Sequence, residues 1–235
     1  MVQAVIVAAG HGTRLFPLTD VIAKVMIPIG SENKPMGQLI MEQCLSHGIT
    51  DFVFCLNDRS GKQVFNYFGD GSRFGATIKY SYSSEPQGTA GELKLAYSRG
   101  LITLPSLIMY GDTLCTTDLS LLMTYKYPAT VVVNDLVTMP YGFVVDKEGD
   151  AIKIIEKPTL EQMLNVEGLG VGAIMSIYYV TDEDFFIRYC RKGVDVSGDI
   201  LPWMMEFSKV GVFHDKKPFV DVGNWKSYGE AKQWD

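Results

Sequence analysis

The stretch VAAGHGTRLFPLT at residues 7–19 sets Gly10, Gly12, Thr13 and Arg14 directly behind an apolar run. Gly10 and Gly12 can take backbone angles closed to other residues, so main-chain N–H groups can turn towards phosphate oxygens. Arg14 adds an always-charged guanidinium, whose forked donors suit a polyphosphate. Two carboxylates stand far along the chain: Asp112 closes SLIMYGD with nothing apolar directly beyond it, and Asp221 follows KKPFV in the same manner. Two carboxylates at separate strand ends can share a Mg2+ ion, which prefers carboxylate and phosphate oxygens. Taken singly these signals are weak, because a G-x-G after a strand can be a tight turn and each aspartate a turn or cap residue.

Two familiar phosphate loops can be excluded. The dinucleotide fingerprint G-x-G-x-x-G needs a small residue where Leu15 stands, and G-x-x-x-x-G-K-[ST] occurs nowhere. An NAD-linked oxidoreductase is therefore disfavoured. Pro17 interrupts any helix that would follow at once, which predicts a long irregular loop better suited to a triphosphate than to a dinucleotide.

The elements that must position these residues follow from hydrophobic spacing. VQAVIVA, DFVFCLN, ATIKYSYS and SLIMYGD read as strands, with helical stretches GQLIMEQCLSHG, GKQVFNYFG and GTAGELKLAYSRG between them. This alternation predicts β-α units on a largely parallel sheet. In the second half, ATVVVNDLVTMPYGFVVDKEGDAIKIIEKP offers closely spaced strands with a KEGD turn, which predicts a meander or a mixed-sheet extension. Helical stretches follow near 182–190 and 198–207, and GNWKSYGEAKQW reads as a closing helix. There is no repeat and no Pro/Gly/Ser linker, so one domain over residues 1–235 is expected. Trp203, Trp225, Tyr178 and Tyr179 are expected in the core or at an interface rather than as stacking platforms.

Composition bounds the class. Of 235 residues 47% are hydrophobic and 20% charged, which excludes disordered and collagen-like chains, and no apolar run is long enough to span a membrane. A formal net charge of -6 without a Lys/Arg run argues against a nucleic-acid partner. It does not exclude anionic small molecules, which a few local cations and N–H groups can hold. The amino terminus lacks a basic n-region and a long h-region, and the four scattered cysteines form no metal pattern, so a cytoplasmic protein with reduced thiols and no zinc is expected. Assembly with further copies of the chain is compatible with this composition.

The segment AAGHGTRLFPLTDVIAKVMIPIGSENKPM resembles the signature of the sugar-phosphate nucleotidyltransferases, G-x-G-T-R-x-x-P-L-T followed by a lysine, a proline and K-P. EPQGTAGEL is similar to the family's GTAG segment, MYGDT to its G-D after a buried strand, IIEKP to its E-K-P, and FVDVGNWKSY to its D-x-G before the last helix. Five motifs in the expected order cover nearly the whole length. The resemblance implies an α/β fold, a Rossmann-like three-layer αβα core with a mixed, mainly parallel sheet. It also implies transfer of a nucleoside monophosphate from a nucleoside triphosphate to a sugar 1-phosphate, with Mg2+ and release of pyrophosphate. The chain ends soon after the D-x-G helix, so no appended left-handed β-helix is expected.

On that resemblance, Arg14 and Lys24 are the catalytic cations, although Ala23 replaces the proline usual before the lysine. Ala9, Gly10, Gly12, Thr13, Arg14, Gly88 and Asp112 would meet the nucleotide, and Asp112 and Asp221 the metal. Gly142, Glu156, Lys157 and Gly172 would meet the sugar phosphate. Gly170 stands where the family's sugar-binding asparagine usually is, which leaves the acceptor's hydroxyl pattern open. AAGHG, with Ala9 rather than another glycine, leans slightly towards a pyrimidine base. His11 is expected as a loop histidine near phosphate, since an ionised phosphate oxygen needs no general base. A cytidylyltransferase acting on phosphocholine or another non-sugar phosphomonoester, and a non-catalytic nucleotide-binding regulator, are the alternatives.

Overall fold

The computed structural model describes residues 1–136, 142–155, 159, 169–191 and 193–234. Its strands are β1 (Gln3–Val7), β2 (Pro28–Ile29), β3 (Lys34–Pro35), β4 (Asp51–Asn57), β5 (Thr77–Ser83), β6 (Ser106–Tyr110), β7 (Thr113–Cys115), β8 (Ala129–Asn134), β9 (Phe143–Lys147), β10 (Asp150–Ile155), β11 (Gly170–Val180), β12 (Val210–Asp215) and β13 (Phe219–Asp221). Nine of them form one sheet in the order β5-β4-β1-β6-β11-β8-β12-β10-β9. β1, β4, β5 and β6 run parallel, β11 enters antiparallel beside β6, and β12 returns parallel to β8. The result is an α/β fold on a mixed sheet.

Every residue of β1, QAVIV, is buried, the pattern of a central strand covered on both faces. Its alternate side chains feed opposite clusters, Ala4 and Ile6 on one side and Val5 and Val7 on the other. Ile40 and Cys44 of helix Met36–Ser46, with Val64 and Phe68 of helix Asp58–Phe68, close the first side. Leu93 and Ala96 of helix Thr89–Ser98, with Leu201 and Met204, close the second. Burying an aliphatic side chain of this kind contributes about 1.5–3 kcal/mol, so these faces fix the register of the strands.

After β1 the chain builds outward through β4 and β5, then crosses to the other side of β1 as β6. Such a reversal opens a crevice beyond the carboxyl ends of the two strands. The loop of Gly10 and Gly12 and the turn carrying Asp112 both lie there. Gly111 N–H donates to the Val7 carbonyl at 2.9 Å and Ala8 N–H to the Cys55 carbonyl at 2.8 Å, which tie the strand ends together.

Two sequence expectations need correction. The first loop is not irregular: Thr13–Leu15 forms a tight helical turn and a one-turn helix, Leu18–Val21, starts directly after Pro17. Proline suits a helix start because its missing N–H would have no partner there. Asp112 does not end a strand into open space, since β7 with buried Leu114 follows at once. The second half follows the mixed-sheet alternative: β9 and β10 form a hairpin, while β8 pairs with β11 and β12. Trp225 is about half exposed at 49%, its indole N–H donating to the Phe16 carbonyl at 3.2 Å, so it ties the closing helix Trp225–Ala231 to the first loop. Tyr178 and Tyr179 are buried as expected.

Candidate active site

Gly12 starts the first-loop turn with φ of 65°, and a Cβ there would stand 2.9 Å from Thr19 Cγ2. No other residue fits both limits without strain. Thr19 Oγ1 donates to the Gly12 carbonyl at 2.8 Å, and buried Asn57 donates from Nδ2 to the Ala9 carbonyl at 2.5 Å. Asn57 Oδ1 also accepts from Ser60 N–H, capping the next helix. The loop is thus held from both ends by side-chain hydrogen bonds.

A cavity of about 240 Å3 lies under this loop, lined by Gly10, Gly12, Thr13, Arg14, Lys24 and Asp112 among others. Lys24 follows the first loop in a second tight turn, Lys24–Met26, and its Nζ is 2.6 Å from Asp112 Oδ2. Its side chain is 14% exposed and that of Asp112 27%, so the pair faces the cavity under reduced solvent screening.

Asp221 reaches the same place through a short antiparallel ladder. β13 pairs with β7 so that Asp221 stands opposite Thr113, and Val222 N–H donates to the Asp112 carbonyl at 2.8 Å. Burial, and then the neighbouring Asp112 carboxylate, push the Asp221 carboxyl up to about 6, against the opposing pull of Lys24 and Arg14. Its Oδ1 is buried and has no hydrogen-bond partner among the described residues. Arg14 Nη2 and Asp221 Oδ1 both approach the backbone at Gly223, where a Cβ would stand 3.3 and 3.1 Å from them. Two carboxylates that repel each other and an oxygen without a donor fit a divalent cation. No group of three or more His, Cys, Asp or Glu that could hold a metal occurs among the described residues, so further ligands would come from bound phosphate and water, as is usual for Mg2+.

A second cavity, of about 170 Å3, adjoins the first and shares Val7, Gly10 and Asp112 with it. Ala9, Pro86, Gly88, Thr89, Glu92 and Tyr110 complete its wall. Gly88 has φ of 78° and caps helix Thr89–Ser98. His11 lines a third and smaller cavity with Arg59 and Lys24.

The structure therefore brings Ala9, Gly10, Gly12, Thr13, Arg14, Lys24, Gly88, Asp112 and Asp221 into one region. Gly142 and Gly172 lie close to each other. The Gly142 carbonyl accepts from Ile174 N–H at 2.8 Å, while β9 and β11 pair Phe143 with Ala173 and Val144 with Gly172. Neither lines these three cavities. Glu156 and Lys157 lie outside the described residues.

Sequence reasoning missed Asn57, Thr19, Gly223 and Glu92. Asn57 could have been found as an Asn before a helix start, and Gly223 in the D-x-G motif itself. Thr89 and Glu92 have the T-x-x-E spacing of a capping box. The structure uses the pair otherwise: Thr89 Oγ1 bonds to Asp195 Oδ2 at 3.0 Å, and Glu92 accepts from the loop before the helix.

With this geometry in hand, comparison with known proteins is informative. The family model described as nucleotidyl transferase matches residues 3–235. The chain is 29% identical to a UTP–glucose-1-phosphate uridylyltransferase of Synechocystis sp. over 97% of its own length. It is 30% identical to a mannose-1-phosphate guanyltransferase of Yarrowia lipolytica over 96%. It spans 62% of the length of each of these relatives. The crystal structure of HddC from Yersinia pseudotuberculosis complexed with GMP-PN superposes with a TM-score of 0.78 at 23% identity, covering 99% of both chains.

Proposed function

The chain belongs to the nucleotidyl transferase family, and from that premise we propose that it transfers a nucleoside monophosphate from a nucleoside triphosphate to a sugar 1-phosphate. An oxygen of the sugar phosphate attacks the α-phosphorus. A new P–O bond forms as the bond to the oxygen bridging towards the β-phosphorus breaks, and its electron pair leaves with pyrophosphate. The nucleophile is already ionised, so the chemistry needs alignment and charge neutralisation rather than a general base. The observation that carries this reading is the convergence of Arg14, Lys24, Asp112 and Asp221 beside the loop of Gly10 and Gly12.

In this mechanism Lys24 neutralises the reacting phosphate and Arg14 holds the departing pyrophosphate. Thr13 and the glycine main chain orient the triphosphate, with Ala9 and Gly88 on the nucleoside side. Asp112 and Asp221 would hold Mg2+, which when bound supplies Lewis-acid neutralisation of phosphate charge. Gly142, Glu156, Lys157 and Gly172 are the proposed acceptor residues, and the adjacency of Gly142 and Gly172 across β9 and β11 supports a shared surface for two of them.

We also read residues 1–235 as one Rossmann-like, three-layer αβα domain. The support is a sheet that runs through both halves, with helices packed on each side. Four buried free cysteines support a cytoplasmic setting. No helix among the described residues is long and apolar enough to cross a membrane.

The test is pyrophosphate release with Mg2+ across a grid of nucleoside triphosphates against sugar 1-phosphates and phosphocholine. Release with one sugar 1-phosphate is the expected result. Release with phosphocholine alone, or triphosphate binding with no release anywhere on the grid, would overturn the proposal.

A further inference from the structure

The cavity between Gly10 and Gly88 owes part of its wall to a distant segment of the chain. Gly193 N–H donates to the Gln87 carbonyl at 2.6 Å and Ala90 N–H to the Val194 carbonyl at 3.3 Å, while a Cβ at Gly88 would stand 3.1 Å from that Val194 oxygen. These main-chain links set the path of residues 87–90 but fix no side chain. Lys94 pins the same helix, Thr89–Ser98, further along, its Nζ donating to the Phe186 and Ile187 carbonyls at 3.0 and 2.8 Å. The helix body is thus held, and what its first turn presents to the cavity is decided locally.

Asp195 stands next in that segment, and its two carboxylate oxygens have different partners. Oδ1 accepts from Ser197 N–H at 2.8 Å, Ser197 Oγ at 2.7 Å and Gly198 N–H at 3.1 Å, which caps the helical turn Val196–Ile200. Oδ2 accepts from Thr89 Oγ1 at 3.0 Å and, over a longer 3.4 Å, from the Tyr110 hydroxyl. Both of these partners line the cavity, Thr89 opening the helix and Tyr110 ending β6, whereas Asp195 itself does not. Two hydroxyl donors can share one oxygen only if it is an acceptor, which each oxygen of an ionised carboxylate is. Burial alone would raise the Asp195 carboxyl, but donors from Ser197, Gly198 and Thr89 hold it below its ordinary value, so it stays ionised.

Resting on the nucleotidyl transfer proposed above, we infer that Asp195 is a positioning residue for the nucleoside triphosphate, holding Thr89 and Tyr110 in fixed places on the wall that the nucleoside meets. Thr89 Oγ1 also accepts from Val196 N–H at 3.2 Å, so its proton and a lone pair are both committed to residues 195 and 196. Residues 89 and 195 lie 106 positions apart, and Tyr110 comes from a third element, so one oxygen joins parts of the wall that share no local sequence. A wall fixed before the ligand arrives removes an ordering cost from binding. Loss of the Oδ2 contact therefore weakens nucleotide binding while the fold persists, because Val196 and Ile200 keep the segment anchored in the core.

The experiment is calorimetric titration of the wild type with ATP, GTP, CTP, UTP and dTTP in Mg2+ without acceptor, and then of the tightest binder into Asp195→Asn, Thr89→Val, the double variant and Ser197→Ala, with a melting curve for each. In Asp195→Asn the N–H donors of Ser197 and Gly198 keep the amide oxygen on their side, so an NH2 replaces Oδ2 and can accept from neither hydroxyl. This variant should bind the nucleotide about three- to tenfold more weakly, the effect of one ordinary hydrogen bond, with a thermal midpoint close to wild type. Thr89→Val should lose at least as much, and the double variant clearly less than the product of the two losses, because both changes break the same contact. Ser197→Ala removes a donor on the Oδ1 side alone and should stay within about twofold of wild type.

Nucleotide affinity unchanged in Asp195→Asn would overturn the inference. So would single losses that multiply in the double variant, or a Ser197→Ala variant weakened as much as Asp195→Asn, since either would reduce Asp195 to a cap on its own turn. A wild type that binds no nucleoside triphosphate would overturn the nucleotidyl transfer reading and this inference with it. Because binding is read without acceptor, nucleotide affinity that depends on the contact between Asp195 and Thr89 would uphold the inference even if pyrophosphate release failed with every sugar 1-phosphate, a failure that would overturn the acceptor reading alone.

Discussion

Lys24 Nζ lies 2.6 Å from Asp112 Oδ2, a contact between residues 88 positions apart that joins the end of the first loop to the turn after β6. The ammonium is thereby aimed into the cavity under the first loop before any ligand arrives, and preorganised charge of this kind lowers a barrier without reorganisation. Lys24→Met should lower kcat for pyrophosphate release by about 10²–10³-fold with little change in thermal midpoint. Steady-state kinetics with a matched melting curve checks this; a variant within a few fold of wild type would remove Lys24 from the chemistry.

Asp221 should trade stability for function. In the folded protein its carboxyl is pushed up to about 6 from an ordinary value of 3.8, by burial and by Asp112. The folded state thus holds the proton more tightly than the unfolded chain does, and the stability linked to it is full below pH 4 and lost as pH rises through about 6. Asp221→Asn, without metal at pH 8, should be more stable than the wild type by about 1–2 kcal/mol, yet inactive with Mg2+. Urea denaturation at pH 5 and pH 8 tests this, and a variant destabilised at pH 8 would contradict it.

His214 predicts a dependence of the opposite origin. Burial alone would lower its pKa, but Nδ1 lies 2.6 Å from Asp135 Oδ1 and Nε2 2.7 Å from Asp146 Oδ1, and these contacts raise it overall. The imidazolium contributes stability that is fully present below the unfolded value near 6.5 and fades as pH rises through the higher folded value. NMR titration of the His214 ring should give a midpoint above 6.5, and His214→Gln should flatten stability over that window. A midpoint at or below 6.5 would rule the network out as a stabiliser.

Gly172 is required by packing, whatever else it touches. A Cβ there would stand 2.5 Å from Val133 Cγ2 and 2.7 Å from Val133 Cβ, on a neighbouring strand that cannot retreat. Gly172→Ala should cost about 1–3 kcal/mol of stability through overpacking. Restoring the space with Val133→Ala in the same chain should recover part of that loss; failure to do so would locate the strain elsewhere.

Much of the fold was legible because it is local. VQAVIVA, DFVFCLN and SLIMYGD carry their strand character in contiguous apolar residues. The first loop was legible as a glycine loop after a strand but not as two helical turns, because Pro17 reads equally as a helix breaker and as a helix opener.

The sequence by itself determined the chemical inventory: a glycine loop, an arginine and a lysine close behind it, and aspartates after two apolar runs. Only the tertiary structure decided that these meet. Asp221 reaches Asp112 because β13 pairs with β7, and Lys24 reaches it because the crevice between β1 and β6 receives both loops. The brace made by Glu92 was hidden for the same reason. Its spacing marks a helix start, whereas in the fold its carboxylate holds Ser83 and the main chain of Gln87. Patterns in sequence report forces between near neighbours, while a site is set by which distant segments the hydrophobic core forces together.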